Sequence, residues 1–131
     1  MSQENVELIR RSIALATNGD WVAALDVLSP DIEWVVARDH PEARTAVGRE
    51  AVANHFRAWQ ETVPGRLEVD RILERGDKVV MIGAVRATAL GAGADLRVPI
   101  ALAYTIKDGL VVRGEEYLAP SDALKAVGLE E

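Results

Sequence analysis

The sequence contains no cysteine, only two histidines and no cluster of basic residues. The absence of cysteine excludes disulfides, thiol catalysis and cysteine-ligated metal sites. His40 and His55 are too few for a three-histidine zinc site, and Asp39 beside His40 supplies too few ligands, so no metal is expected. The formal net charge is −6, which does not fit a protein with a basic face for nucleic acid.

Long apolar runs are also missing. No window approaches the ~18 apolar residues of a membrane span, and the polar N-terminus shows no apolar signal region. We therefore expect a cytoplasmic protein without a membrane partner. The sequence has no dinucleotide fingerprint and no phosphate loop, because the glycine-rich stretch at 91–93 falls in a predicted hairpin. No cofactor is expected.

The chain of 131 residues, 49% of them hydrophobic, fits a single domain over residues 1–131. Apolar spacing predicts helices at 3–17 and 49–62, with a short helix between them that begins at Asp20. Strands are predicted at 31–37, 67–74 and 78–90, and residues 38–47 form a polar loop. Residues 95–120 form two strands joined by Lys107-Asp108-Gly109, because Asp-Gly favours a tight hairpin turn. A last helix over 121–127 ends at Gly128. This order predicts an α+β fold with the helices on one face of a curved antiparallel sheet.

Two adjacent glutamates in the last strand, Glu115 and Glu116, are the first candidates for a functional site. Consecutive residues of a strand face opposite sides of the sheet. One carboxylate therefore points toward whatever the sheet covers.

Several short motifs, in this order and spacing, carry a resemblance to a known family. They are Asn18-Gly19-Asp20, Pro30-Asp31-Ile32-Glu33-Trp34, Gly48-Arg49-Glu50-Ala51-Val52, Asp108-Gly109-Leu110-Val111-Val112 and the tail from Glu116-Tyr117-Leu118 to Leu129. With them, nearly the whole chain resembles the nuclear transport factor 2-like (NTF2-like) superfamily and, within it, the SnoaL-like group. The fold hosts both enzymes and non-catalytic binders, so the resemblance names no reaction.

The resemblance implies a cone, in which a curved sheet wraps over three N-terminal helices around a central pocket, and a homodimer formed through the outer sheet face. The predicted strand 78–90 supports a covered outer face, because small and apolar residues occupy both of its sides. We expect a second subunit to bury this outer face.

The pocket residues follow from this resemblance and from strand alternation. Glu116 faces the pocket and Glu115 faces the partner subunit. The expected ligand-binding residues are Trp34, Phe56, Trp59, Ile82, Arg86, Tyr104 and Leu118. Glu116 and His55 are the candidate catalytic residues, in a pocket that is otherwise mostly apolar and suits a small organic molecule.

Each candidate also has a structural interpretation. Glu116 and Arg86 would form a buried ion pair without catalysis. His55 would be a histidine at the edge of the core, and Tyr104 and the tryptophans would be core residues first.

The enzyme branches of the superfamily can be tested position by position. Matching the motifs to the ketosteroid isomerases puts Ser12, Val36 and Leu102 where that mechanism needs a tyrosine, an aspartate base and a protonated aspartic acid, so we exclude it. The resemblance to limonene-epoxide hydrolases leaves half of an Asp–Arg–Asp relay, with Glu116 and Arg86. For a SnoaL-type cyclase, Glu116 or His55 would be the acid/base.

The sequence therefore leads to two hypotheses. In the first, the pocket binds a small apolar molecule, Glu116 acts as a general base and His55 or Tyr104 as the proton donor, without a cofactor. In the second, the domain is a non-catalytic ligand-binding or dimerisation module.

Overall fold

The computed structural model describes residues 2–17, 21–39, 41, 43–62, 65–88 and 95–129. The predictions for residues 18–20, for His40 and for the hairpin loop at 91–94 lie outside these ranges. The side chain of Trp59 also lies outside the described part of the structure.

Four helices and six strands form within the described residues. The helices are α1 (Ser2–Thr17), α2 (Trp21–Leu25), α3 (Arg49–Thr62) and α4 (Pro120–Ala126). The strands are β1 (Leu28–Val36), β2 (Arg44–Val47), β3 (Gly65–Arg75), β4 (Lys78–Thr88), β5 (Asp95–Lys107) and β6 (Leu110–Tyr117). The prediction of a loop throughout 38–47 was wrong for β2, a strand of only four residues, which is too short for a clear alternating pattern. None of the described helices is long and apolar enough to cross a bilayer.

The strands form one curved, unclosed sheet in the order β2-β1-β6-β5-β4-β3. Neighbouring strands are antiparallel except β1 and β6, which run parallel and bring the first and last strands together. Asp108 and Gly109 have φ angles of 52° and 77°, as the Asp-Gly turn between β5 and β6 requires. This arrangement confirms the α+β fold.

The inner face of the sheet is the side that packs against α1 and α3. Its core includes Ile9 from α1, Val52 from α3 and Val79 and Met81 from β4, all fully buried. Trp34 from β1 lies in the same cluster. Burying a large apolar side chain of this kind stabilises the fold by about 1.5–3 kcal/mol. The helices therefore hold the sheet through its inner face.

The outer face is partly covered by α4 of the same chain. Val80, Ala101 and Ala103 pack there with Ala123 of that helix and with Val127, which follows its last residue. The helix ends as predicted at Gly128, and Leu129 N donates a hydrogen bond to Leu124 O over 2.7 Å. The apolar residues on this side of the sheet are thus largely accounted for by α4, whereas the sequence argument assigned them to a second subunit.

The predicted orientation of β4 was wrong. Ile82 packs with the outer cluster around Val80, whereas Val79 and Met81 face the helices. Arg86 continues the outer row and bonds to Glu68 Oε2 over 2.8 Å rather than to Glu116. Alternation cannot assign the faces of a strand that is apolar on both sides.

Candidate functional site

Glu116 lies near the end of β6 on the inner face, opposite Leu102 of β5. Only 7% of its surface is exposed, and His55 is exposed to 8%. Among the described residues, these two are the buried ones that can carry a charge near neutral pH. A carboxylate in an apolar layer costs free energy unless donors surround it.

Two side chains meet one oxygen of this carboxylate. Trp34 Nε1 donates a hydrogen bond to Glu116 Oε2 over 2.6 Å, and His55 Nε2 lies 2.7 Å from the same oxygen. The contact with His55 joins residues 61 positions apart, from α3 and β6. We call Trp34, His55 and Glu116 the inner triad.

The position of His55 follows from the way α3 begins. Arg49 Nε donates to Leu28 O over 2.7 Å, which ties the first turn of α3 to β1. Val52 is fully buried against the sheet, and His55 follows it at the i+3 position on the same side of the helix. The imidazole is thus directed from the helix onto β6.

The position of Trp34 depends on a glycine in the neighbouring strand. Trp34 pairs with Gly114 of β6, and a Cβ atom at Gly114 would overlap Cε3 and Cζ3 of the indole ring. Phe56 and Tyr104 pack on the same ring, with centroid distances of 4.8 and 5.8 Å in edge-on geometry. Trp34 is 1% exposed, so these neighbours fix the direction of its N–H group.

Tyr104 stays neutral far above physiological pH. Burial raises the pKa of its phenol, and the charge of Glu116 raises it further. The phenol therefore keeps its proton as a hydrogen-bond donor close to the inner triad.

This pKa shift predicts a change in alkaline stability. A group whose pKa is higher in the folded state than in the unfolded state stabilises the fold fully below its unfolded pKa and progressively less above it. We expect the melting temperature of the wild type to fall above about pH 10, the ordinary value for tyrosine, and to fall less steeply for Tyr104→Phe. Thermal unfolding monitored between about pH 8 and pH 11 measures both slopes.

Tyr117→Phe is the matched control, because burial also raises the pKa of Tyr117 but its ring lies in the outer cluster. We expect a smaller change of slope for this variant, since the ring of Tyr117 lies on the opposite side of the sheet from the Glu116 carboxylate. Equal slopes for wild type and Tyr104→Phe would contradict the prediction.

The structure separates the remaining predicted residues. Phe56 packs beside His55 and Trp34, with a centroid distance of 5.4 Å to the imidazole, and belongs to the site region. Leu118 is 51% exposed after the end of β6 and does not join the triad. Ile82 and Arg86 lie on the opposite side of the sheet.

Two residues near the triad received no functional role in the sequence analysis. Gly114 received no role, although a glycine within an apolar strand often marks a close approach. Asp39 was interpreted as a solvated loop residue, but its carboxylate accepts hydrogen bonds from the N–H groups of Leu118 and Ala119. No sequence signal identifies such backbone partners.

The chemistry of the triad follows from its donors. An indole N–H can only donate, so Glu116 Oε2 is its acceptor, while the role of His55 depends on its tautomer. An ionised Glu116 can accept hydrogen bonds from both rings, and the contact fixes the orientation of the imidazole relative to the carboxylate. A proton can pass between the two side chains. Within the described ranges, no group of three metal-ligating side chains occurs.

The comparisons with known proteins agree with this fold. The sequence model of the SnoaL-like domain family matches residues 9–114 of this chain, from α1 to β6. A search of curated proteins found no match.

Three solved structures illustrate the likeness. An NTF2-like protein of unknown function from Burkholderia pseudomallei is 22% identical, with 95% of this chain and 97% of that chain covered and a TM-score of 0.76. TerC, co-crystallised with polyporic acid, is 25% identical, with the same coverage of 95% and 97% and a TM-score of 0.75. A protein described as a SnoaL-like polyketide cyclase from a Jannaschia species is 18% identical, with 99% and 95% covered and a TM-score of 0.76. Because the family model spans most of the sequence, the chain belongs to the SnoaL-like domain family of the NTF2-like superfamily.

Proposed function

We propose that the inner face around Glu116 and His55 binds a small, largely apolar organic molecule and that these two side chains transfer a proton on it. The observation that carries the proposal is the 2.7 Å contact between His55 Nε2 and Glu116 Oε2, both buried in an otherwise apolar layer. Burying ionisable side chains costs free energy, and pairs of such side chains in a buried position are typical of acid/base sites.

The roles in the proton transfer follow from the contacts. Glu116 is the general base of the pair, and His55 receives or returns the proton across their shared contact. Tyr104, which burial keeps protonated, is the donor that orients a carbonyl or similar oxygen of the ligand. The chain's own residues thus supply a base, a relay and a donor, without a cofactor.

The ligand is expected to be uncharged where it contacts the sheet. Arg86 and Arg97 lie on the outer side and bond to Glu68, so these cations are not directed at the triad. The relative TerC was co-crystallised with polyporic acid, which makes that compound a reasonable first probe.

Ligand-induced thermal stabilisation tests the proposal. We expect polyporic acid, or a member of a panel of neutral aromatic ketones, to raise the melting temperature of the wild type, because a ligand that binds only the folded state stabilises it. Glu116→Gln should reduce this shift. Glu115→Gln is the matched control, because Glu115 lies next in sequence but bonds to Arg38 and Arg113 on the outer side. Equal shifts in all three proteins would contradict the proposed site.

A second measurement tests the chemistry. A neutral ketone incubated in D2O with the protein should incorporate deuterium at its α-carbon faster than in buffer, and general-base catalysis of this kind contributes about 10²–10⁴-fold. Glu116→Gln should abolish the acceleration, while Glu115→Gln should retain it. An acceleration that survives Glu116→Gln would exclude Glu116 as the base.

A specific observation favours the non-catalytic alternative. Trp34 is 1% exposed and lies between Gly114, Phe56 and Tyr104, so its ring fills part of the inner face. In that case the inner triad fixes the fold rather than a substrate. Stabilisation by a probe without any deuterium exchange would support a binding module.

The same proposal treats residues 1–131 as one cytoplasmic domain with a second copy of the chain as its partner. The part of the outer face left beside α4 carries Glu33, Arg113 and Glu115, which form a chain of ion pairs with Arg38. Sedimentation of the purified protein at several concentrations tests the dimer, and a constant monomer mass would contradict it.

A further inference from the structure

We infer that Asp39 is a positioning residue for Glu116, which rests on the proposed function of the inner triad. Its two carboxylate oxygens each accept a backbone hydrogen bond, from Leu118 N over 2.9 Å and from Ala119 N over 2.9 Å. These partners lie 79 and 80 residues away and follow directly after β6, the strand that carries Glu116.

The rest of the turn strengthens this contact. Arg38 N donates to Glu116 O itself over 2.6 Å, so residues 38 and 39 make three hydrogen bonds to the backbone of residues 116–119. Ala37 has a φ angle of 50°, in the left-handed region that costs a non-glycine residue about 1–2 kcal/mol. Such strain persists only where the surrounding contacts hold it. We call residues 37–39 the clamp.

The clamp acts on the side of β6 where the pairing with β1 ends, while on the other side Glu116 stays paired with Leu102 of β5. The pairing of β1 with β6 ends at Val35 and Glu115, one residue before the functional carboxylate. Strand ends without such pairing open locally at low cost. The clamp follows directly after the strand that carries Trp34, so it extends the connection between the two strands past the last pair. It thereby fixes the distance between Trp34 Nε1 and Glu116 Oε2.

The charge of Asp39 fits this role. Burial raises the pKa of Asp39, but the hydrogen bonds from Leu118 and Ala119, together with a contact to Asp122, outweigh it and hold the pKa below its ordinary value. The carboxylate therefore stays ionised at neutral pH, where both of its oxygens are acceptors.

The position of the Trp34 indole N–H resonance in a proton–nitrogen NMR spectrum reports the bond to Glu116. The Trp34→Phe variant identifies the peak by its disappearance, and Glu116→Gln gives its position when the carboxylate is lost. In Asp39→Ala we expect the peak to move toward the Glu116→Gln position or to broaden. In Asp39→Asn, which keeps one acceptor oxygen, we expect a smaller displacement.

Asp70→Ala is the matched control, because Asp70 also holds a partner, Arg97 over 2.7 Å, but on the outer side of the sheet. It should lose a similar contact without moving the Trp34 peak. An unmoved peak in a folded Asp39→Ala protein would overturn the inference and leave Asp39 only as a partner of the turn between β6 and α4. If Asp39→Ala does not fold, the same criterion applies to Asp39→Asn.

Measuring deuterium exchange alongside the Trp34 peak separates a failure of this inference from a failure of the proposed function. Where the wild type accelerates deuterium exchange, Asp39→Ala should lower the rate by about 10- to 100-fold, since a misplacement of about 1 Å has effects of this size. If the wild type shows no exchange and no ligand shift, the proposed function fails. The Trp34 peak still decides whether Asp39 positions Glu116.

Discussion

Replacing Gly114 by alanine is expected to destabilise the protein by about 1–3 kcal/mol, the usual cost of forcing an extra group into a packed core. The added Cβ would overlap Cε3 and Cζ3 of Trp34. The indole ring has no room to retreat, because it is 1% exposed and packs on Phe56 and Tyr104. A displaced ring also carries its N–H away from Glu116. Chemical unfolding in urea, followed by circular dichroism, measures the loss.

Gly76→Ala separates steric overlap from backbone strain. A Cβ at Gly76 meets no atom within 4 Å, but the φ angle of 61° makes any side chain unfavourable there. We expect this control to lose about 1 kcal/mol and to keep the Trp34 indole resonance in place. The double variant Gly114→Ala with Trp34→Phe should show favourable coupling, because the smaller ring relieves the overlap. Wild-type stability in Gly114→Ala would show that Trp34 is not held against this strand.

The hairpin strands show how far alternation along a strand predicts a site. Tyr104 of β5 and Glu116 of β6 face the helices as expected, and Glu115 faces outward to Arg38 and Arg113. These orientations are confirmed, and they were assigned from the family resemblance, because alternation alone leaves open which of the two adjacent glutamates faces inward. His55, which the family resemblance placed at the same pocket, contacts Glu116 in the structure.

The same rule failed where its physical basis was absent. β4 is apolar on both sides, because the residues on its outer side pack under α4. The prediction that Ile82 and Arg86 point inward therefore could not rest on a difference in polarity between the two sides of the strand. Counting back from Glu116 by alternation would put Val112 on the inner face, but an irregularity between β5 and β6 places Val111 there. An irregularity of this kind shifts the alternation and leaves no mark in the residue types.

Contacts to backbone atoms were beyond sequence reasoning altogether. Asp39 resembles any exposed loop aspartate until β1 and β6 become parallel neighbours. That pairing brings residues 39 and 118 together across most of the chain. The sequence could therefore predict the carboxylate and the histidine of the candidate site, but not the backbone contacts of the clamp beside it. Side-chain chemistry is encoded locally, whereas its geometry depends on contacts distant in sequence.

Removing the histidine of the triad is expected to have the largest effect of all. In His55→Leu, the buried carboxylate of Glu116 retains Trp34 Nε1 as a donor but loses the 2.7 Å contact with the imidazole. Leaving one member of a buried pair uncompensated costs about 3–5 kcal/mol. We expect a loss of this size in urea unfolding at neutral pH. Glu116→Gln alone should cost less, because its amide oxygen still accepts from Trp34.

The double variant, His55→Leu with Glu116→Gln, determines whether charge is the cause. Since the amide carries no charge, we expect the double variant to be more stable than His55→Leu alone, with a coupling of about 1–3 kcal/mol between the two positions. A double variant as unstable as the sum of the single ones would mean that His55 acts through packing alone. A recovery would show that the triad keeps a costly charge in the core that a neutral pair could replace. Such a charge is retained at the expense of stability, as expected for a residue that serves a reaction.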